Sequence, residues 1–138
     1  SWNGRATNGQ AWPDQHDVII FNHALEHFAE PPADVLARAA QLLRPGGVVF
    51  IRIPLADSWA FGHYGADWVQ LDAPRHLFIP TRRAMTRLAE RGGLRVEKVV
   101  DDSTAIQFIG SEQYRQGIPL HDPRSFYGPN VAGVKKAV

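Results

Sequence analysis

The stretch that decides the fold of this chain is Asp17-Val18-Ile19-Ile20-Phe21-Asn22-His23-Ala24-Leu25-Glu26-His27. Its first half is an unbroken apolar run, which is typical of a strand buried on both faces inside a parallel sheet. Its second half carries two histidines and a glutamate within five residues. Ligands of open α/β sheets bind just beyond the carboxyl ends of the strands. The stretch therefore predicts a central strand that delivers a polar cluster to a binding site.

Length and composition indicate one domain with one core. The chain has 138 residues, of which 44% are hydrophobic and 21% are charged. A net charge of +1 gives no attraction to nucleic acid or to an anionic membrane. The absence of cysteine excludes disulfides and thiolate metal sites, and it suits a reducing cytosol. Since the sequence also lacks a signal-peptide pattern and an apolar stretch of membrane-spanning length, we expect a cytoplasmic protein without nucleic-acid or membrane partners.

A helix and a second strand are predicted to follow the opening stretch. Pro31-Pro32 starts the helix, because proline is tolerated in the first turn, and Pro45-Gly46-Gly47 ends it. Its apolar stripe consists of Val35, Leu36, Ala39, Leu42 and Leu43. Residues 48–53 form another apolar strand. Strand, helix and strand at this spacing predict a βαβ unit with parallel neighbouring strands.

The other predicted elements flank this unit. Residues 1–16 have no periodicity and predict a loop, and residues 55–80 form a long, aromatic-rich connection of the kind that serves as a binding loop. Thr81 is the predicted N-cap of a second helix, which Gly92-Gly93 ends. Residues 94–100 predict a third strand, residues 105–116 a helix and residues 117–138 an irregular tail.

Several motifs occur along the chain in a fixed order. They are Asp17-Val18-Ile19-Ile20, Leu25-Glu26-His27, Pro31-Pro32, Leu42-Leu43-Arg44-Pro45-Gly46-Gly47, Ile51-Arg52-Ile53-Pro54, and Leu71-Asp72-Ala73-Pro74-Arg75-His76-Leu77-Phe78. This order resembles class I S-adenosylmethionine-dependent methyltransferases, in particular the group around the ubiquinone-biosynthesis O-methyltransferases. The resemblance covers residues 12–100. It implies an α/β, Rossmann-like three-layer sandwich, of which this chain carries the second half of a seven-stranded, mostly parallel sheet.

The resemblance also implies that part of the domain lies outside this chain. The family binds its cofactor mainly through a glycine-rich turn after the first strand, where glycine lets the backbone approach the ligand. No Gly-x-Gly sequence occurs here. The chain also starts at Ser1 and ends at Val138 without a closing pattern. We therefore expect residues 1–116 to be the C-terminal portion of a methyltransferase domain, inactive alone, and residues 117–138 to be a tail.

Candidate site residues follow from the same resemblance. Asn22, His23, Ala24 and Glu26 stand where the family contacts the methionine end of S-adenosylmethionine and the methyl acceptor, so they are the predicted cofactor-binding residues. His27 and His76 are the predicted catalytic residues, because a histidine titrates at about pH 6.5 and can take a proton from a hydroxyl group. The predicted acceptor is a small molecule, and no residue is assigned to a metal.

Three alternatives stay open. The sequence of residues 23–27 also matches the H-x-x-E-H zinc-peptidase motif, which requires these residues to form a helix. A metal-dependent O-methyltransferase would use His23, Glu26, His27 and His76 as ligands. A non-catalytic remnant or assembly module would instead be completed by another chain, for example as a homo-oligomer through an exposed strand edge at Asp17.

Four side chains of the long connection have two interpretations each. Arg75 orients a carboxylate or phosphate on the acceptor, or it pairs with Asp72. Trp59, Trp68 and Phe78 line the acceptor pocket, or they are packing residues.

Overall fold

The computed structural model describes residues 16–120 and 122–126, which form an α/β arrangement. The strands and helices are β1 (His16–Asn22), α1 (Pro32–Leu42), β2 (Leu43–Arg52), α2 (Trp59–Tyr64), α3 (Arg82–Arg91) and α4 (Ala105–Arg115). Short 3₁₀ turns lie at Leu25–His27, Gly65–Asp67 and Val69–Leu71. Residues 1–15 of the predicted loop and residues 121 and 127–138 of the predicted tail lie outside the described residues, and His16 belongs to β1.

The described chain forms two compact units. We call residues 16–53 and 84–97 the sheet unit, and residues 54–83, 98–120 and 122–126 the helical unit.

The strands β1 and β2 confirm the predicted βαβ unit. They pair in parallel, from Val18 opposite Val48 to Asn22 opposite Arg52, and they form a two-stranded sheet in the part of the chain that the structure describes. The backbone N–H of His23 donates to the carbonyl of Arg52 at 2.9 Å, so the pairing continues one residue beyond β1. This arrangement agrees with a partial Rossmann-like fold, and it fixes the backbone where the polar cluster begins.

The helix α1 begins where proline predicts it, but the predicted end was wrong, because Leu43 and Pro45-Gly46-Gly47 belong to β2. It starts at Pro32 and buries Leu36 and Ala39. The end of α3 packs closely on it, because a Cβ atom at Gly92 would lie 2.8 Å from the Cβ atom of Leu36. Gly92 therefore permits this close approach, and Gly93, which has a left-handed backbone at φ 80°, ends α3. The buried apolar residues of the sheet unit are Leu25, Leu36, Ala39 and Ala89.

One face of the sheet differs from the prediction. Val18, Ile20, Val48 and Phe50 are 55%, 63%, 54% and 54% exposed, and we call them the open sheet face. The apolar residues between and after them, Ile19, Phe21, Val49 and Ile51, are partly buried, because successive side chains of a strand point to opposite faces. The prediction that the first strand is buried on both faces was therefore wrong for the described structure, in which only one face is packed.

The predicted third strand was also wrong. Residues 94–100 have no regular secondary structure, and those from Arg95 to Val100 are exposed. The backbone N–H of Leu94 donates to the carbonyl of Ala89 at 2.9 Å, which continues the end of α3 rather than a strand ladder. The alternation of apolar and polar residues is not sufficient for a strand where no neighbouring strand pairs with it.

The helical unit has an aromatic core. Ala60, Tyr64 and Trp68 are buried together, and Phe61, Ile79 and Phe108 pack against them. The N-cap of α2 is Ser58, whose hydroxyl accepts a hydrogen bond from the backbone N–H of Phe61 at 3.1 Å.

The helix α4 anchors the long connection to this core. The indole N–H of Trp68 donates to Oε1 of Gln107 at 3.4 Å, and the backbone N–H of Val69 donates to the Ser111 hydroxyl at 3.0 Å. Gly110 admits Val69 closely, since a Cβ atom there would lie 2.9 Å from its Cγ2 atom. Among the described residues, no helix has the length and apolar character that crossing a bilayer requires.

Candidate functional site

The strand-end cluster, which we define as residues 22–24, 26 and 27, begins with a sharp turn of the backbone. Asn22 is exposed at the end of β1. His23 follows in the left-handed region at φ 48°, which is uncommon for a residue other than glycine. Ala24 is partly buried and leads into the 3₁₀ turn. The turn redirects the chain, so that Asn22 and His23 present polar side chains beyond the carboxyl end of the strand.

Glu26 is the buried member of this cluster. Its side chain is fully buried, and its Oε1 atom lies 3.5 Å from Nδ1 of His23, whose side chain is 40% exposed. Burying a carboxylate is costly unless a partner compensates for the lost hydration. When His23 is protonated the two residues form an ion pair. Glu26 is therefore placed to orient the His23 imidazole.

The five residues of the H-x-x-E-H motif do not form a helix. The 3₁₀ turn contains only Leu25–His27, and the left-handed backbone at His23 lies before it. The helix that the zinc-peptidase interpretation requires is therefore not formed by these residues. His27 is exposed at the end of the turn.

His76 lies in the helical unit, where its ring orientation is defined. Its Nδ1 atom lies 2.8 Å from the carbonyl oxygen of Gln70. A carbonyl oxygen only accepts hydrogen bonds, so Nδ1 carries the proton. In the neutral ring the lone pair is then on Nε2, which lies 3.8 Å from Oδ2 of Asp72. This tautomer makes Nε2 the nitrogen that can accept a proton.

Asp72 is the centre of the turn that carries His76. It has a left-handed backbone at φ 41°, and its carbonyl accepts hydrogen bonds from the N–H groups of Arg75 at 2.9 Å and His76 at 3.3 Å. Its Oδ1 atom accepts from Nε of Arg75 at 3.1 Å and from Nη2 at 2.6 Å. The prediction that Arg75 pairs with Asp72 is therefore confirmed.

The charges of this pair also act on Tyr114. Burial raises the pKa of the Tyr114 phenol, the negative charge of Asp72 raises it further, and Arg75 opposes the change. The hydrogen bonds to Asp72 raise the pKa of Arg75. Asp72, Arg75 and Tyr114 therefore form one electrostatic group beside His76.

Asp72, Arg75 and His76 border a cavity of about 180 Å³. Its lining combines polar and apolar side chains. It is lined by Val69, Gln70, Asp72, Arg75, His76, Ile106 and Leu120. The cavity can therefore take a small ligand that has an apolar body and one polar end.

The three aromatic residues predicted to line the acceptor pocket are not among these lining residues. Trp68 is 1% exposed in the core, so its packing interpretation is confirmed. Trp59 is 67% exposed and stacks on His63 with a centroid distance of 4.6 Å. Phe78 is partly buried. Sequence analysis did not single out Val69, Ile106 and Leu120 for this cavity, because they are distant in sequence and belong to no common motif.

Comparison with known proteins identifies a family for this chain. A model of the protein family described as "Methyltransferase domain" matches residues 5–99. The chain is also similar to a ubiquinone biosynthesis O-methyltransferase of Aeromonas salmonicida, with 33% identity over 114 residues that cover 76% of this chain and 45% of that protein. It thus spans less than half the length of this curated relative. No solved structure matches the chain.

Proposed function

The chain belongs to the class I S-adenosylmethionine-dependent methyltransferases, and on this premise we propose that it supplies the acceptor side of a methyltransferase domain. The complete domain would transfer a methyl group to an oxygen, nitrogen or carbon atom of a small molecule. The observation that carries this proposal is the family match over residues 5–99, which contains β1, the strand-end cluster and β2.

The end of β1 fits the polar, amino-acid end of S-adenosylmethionine. Asn22 is exposed there and offers both donors and an acceptor. His23 is turned out of the strand by its left-handed backbone. These two residues would hold that end of the cofactor, which supplies the electrophilic methyl group when bound. Since the chain contains no Gly-x-Gly turn, we propose that it does not hold the cofactor alone.

His27 and His76 are our candidates for taking a proton from the acceptor. The Nδ1–H of His76 donates to the Gln70 carbonyl, which leaves Nε2 as the basic atom of the neutral ring. A base in this orientation removes a proton from an acceptor hydroxyl held within hydrogen-bond distance. The remaining contribution of the protein is to hold the acceptor in line with the methyl group.

A chimeric enzyme tests this proposal. In it, the present chain replaces the matching 114-residue segment of the Aeromonas salmonicida relative. We expect calorimetry to detect S-adenosylhomocysteine binding to the chimera and none to the isolated chain. A chimera that folds but neither binds this ligand nor transfers radiolabelled methyl groups would refute the proposal. Tight binding of S-adenosylhomocysteine by the isolated chain would refute the proposal that this chain does not hold the cofactor alone.

The two histidines are tested in the same chimera. Substituting a general base typically lowers the rate by about 10²–10⁴-fold, so His76→Asn and His27→Asn should lower methyl transfer without removing S-adenosylhomocysteine binding. His63→Asn is the matched control, because His63 is exposed and stacks on Trp59. Equal activity of the His63→Asn and His76→Asn variants would exclude His76 as the base.

The open sheet face supports a second candidate function, an assembly module completed by another chain. Parallel sheets are normally covered on both faces, whereas four large apolar residues of this sheet are more than half exposed. A homo-oligomer in which a second copy packs on this face would cover them. Sedimentation equilibrium of the isolated chain tests this candidate: it requires a dimer that Ile20→Lys dissociates, and a monomer at every concentration rejects it.

A further inference from the structure

The cavity next to His76 has three apolar lining residues, Val69, Ile106 and Leu120, and two of them form walls that are held in different ways. The first is Val69, which is 8% exposed. Its backbone N–H donates to the Ser111 hydroxyl at 3.0 Å. A Cβ atom at Gly110 would lie 2.9 Å from the Cγ2 atom of Val69, so Val69 packs directly against α4. This wall is therefore fixed by the helix itself.

The second wall is Leu120, which lies beyond the end of α4. The chain on both sides of Leu120 is held by the side-chain amide of Gln113, which is fully buried. Its Nε2 atom donates to the carbonyls of Ile118 and Pro119, both at 3.1 Å. Its Oε1 atom accepts from the Phe126 N–H at 2.9 Å and from the Ser125 hydroxyl at 3.2 Å.

These four hydrogen bonds use the whole capacity of the amide, which has two donors and two acceptor positions. They join residues 118 and 119 to residues 125 and 126 through one buried side chain. Arg124 adds a local contact, since it donates to both carboxylate oxygens of Asp122 at 2.9 Å. Leu120 is therefore placed by specific bonds rather than by its own packing alone.

The side chain of His76 is only 9% exposed, and Leu120 borders the same cavity. This cavity is open to solvent, and its volume of about 180 Å³ is close to that of the roughly 150 Å³ closed apolar cavity that holds one benzene molecule. It therefore admits a group about as large as one six-membered ring.

We propose that Leu120, held in place by the Gln113 amide, sets the size of the chemical group that can reach His76. Leu120 is the specificity-determining residue, and Gln113 is a positioning residue that acts through it. The relevance to methyl acceptors depends on the proposed function, but the control of access to His76 does not.

Chemical modification of His76 tests the proposal on the complete 138-residue chain. Diethyl pyrocarbonate acylates neutral imidazole, and peptide mass spectrometry gives the rate at each histidine. We expect Leu120→Ala to raise the rate at His76 several-fold and Leu120→Phe, which fills the cavity, to lower it. Gln113→Glu should also raise the rate, because it removes both N–H donors and places a carboxylate against two carbonyl oxygens.

Two controls separate access from general loosening. The first control is Ile109→Ala, because Ile109 belongs to α4 but is 43% exposed and does not line the cavity. The rate of His76 modification should not change in this variant. His63 is exposed and provides a reference rate within every sample. Should Gln113→Glu fail to fold, the two Leu120 variants decide the question.

An unchanged His76 rate in folded Leu120→Ala and Leu120→Phe proteins would overturn the proposal, and so would an equal rise at His76 and His63. Methyl transfer is not needed for this measurement. An inactive chimera together with opposite rate changes in the two Leu120 variants would therefore reject the proposed function and leave this inference standing.

Discussion

In the sheet unit, large apolar side chains of both strands are more than half exposed, whereas Trp68 in the helical unit is 1% exposed. The units also differ in their buried polar groups. Those of the helical unit are neutral side chains with hydrogen-bond partners, namely Gln107, Ser111, Gln113 and Ser125. The buried polar group of the sheet unit is the carboxyl group of Glu26, next to His23.

Both units expose large apolar side chains, but those of the sheet unit form cross-strand pairs on one face, Val18 with Val48 and Ile20 with Phe50. Burial of a large side chain contributes about 1.5–3 kcal/mol, and the open sheet face does not receive this contribution in full. The helical unit therefore derives its stability from its own aromatic core. The sheet unit retains exposed apolar surface, and the chain spans 45% of the length of the Aeromonas salmonicida relative.

The largest effect is expected in the core of the helical unit. Trp68→Ala removes the largest fully buried side chain and should lower the free energy of unfolding by about 3–5 kcal/mol. Urea denaturation followed by circular dichroism measures the change. Trp59→Ala is the matched control, because Trp59 is 67% exposed, and it should cost about 1 kcal/mol or less. Similar losses for both variants would mean that the helical unit lacks the core described above.

A smaller effect is expected where α1 and α3 meet in the sheet unit. Gly92→Ala places a methyl group 2.8 Å from the Leu36 Cβ atom, and overpacking of this kind costs about 1–3 kcal/mol. Gly62→Ala is the contrasting change in the helical unit, since its added Cβ atom meets no atom within 4 Å inside α2. It should stabilise the protein by up to about 1 kcal/mol. Thermal unfolding compares the two, and a neutral Gly92→Ala variant would show that the sheet unit packs loosely.

Local signals were sufficient to predict most of the helices and the strand pair. Pro32 and Gly93 limit the helices through backbone conformations that depend on no distant residue. The segments that pack against a helix or strand cannot be predicted from such local signals. Val18 and Ile19 are equally apolar, yet only the position of other chain segments decides which one is exposed. The same holds for Trp59 and Trp68, which the sequence could not distinguish.

The candidate site also combines contacts that are predictable from the sequence with contacts that are not. The pairing of Arg75 with Asp72 was predictable from their spacing of three residues, and the structure confirms it. The hydrogen bonds of Gln113 connect segments five to thirteen residues away without periodicity. No sequence pattern indicates them, because they depend on the path of the chain after α4.

Electrostatics within the helical unit gives the next prediction. Asp72 raises the pKa of Tyr114, so Asp72→Asn should lower it, as measured by an NMR pH titration of the tyrosine ring. Glu112→Gln is the control, because Glu112 raises the pKa of Tyr64 instead. An unchanged Tyr114 titration in Asp72→Asn would place Asp72 outside the electrostatic group.

The stability of the protein should follow the same titration. Because the pKa of Tyr114 in the folded state is above its unfolded value of about 10, its contribution is complete below about pH 10 and is lost as the pH rises through the folded pKa. Asp72→Asn should reduce this alkaline loss, which urea unfolding at increasing pH measures.

The smallest effect is expected on the open sheet face. Ile20 is 63% exposed, so Ile20→Thr should change the free energy of unfolding by less than about 0.5 kcal/mol. Ile19→Thr, its neighbour on the packed face, should cost about 1–3 kcal/mol because a hydroxyl group is placed among apolar side chains. Urea unfolding at two protein concentrations measures both. A cost of Ile20→Thr that equals that of Ile19→Thr and increases with protein concentration would mean that a second copy covers this face, and would favour the assembly module over the acceptor side of a methyltransferase domain.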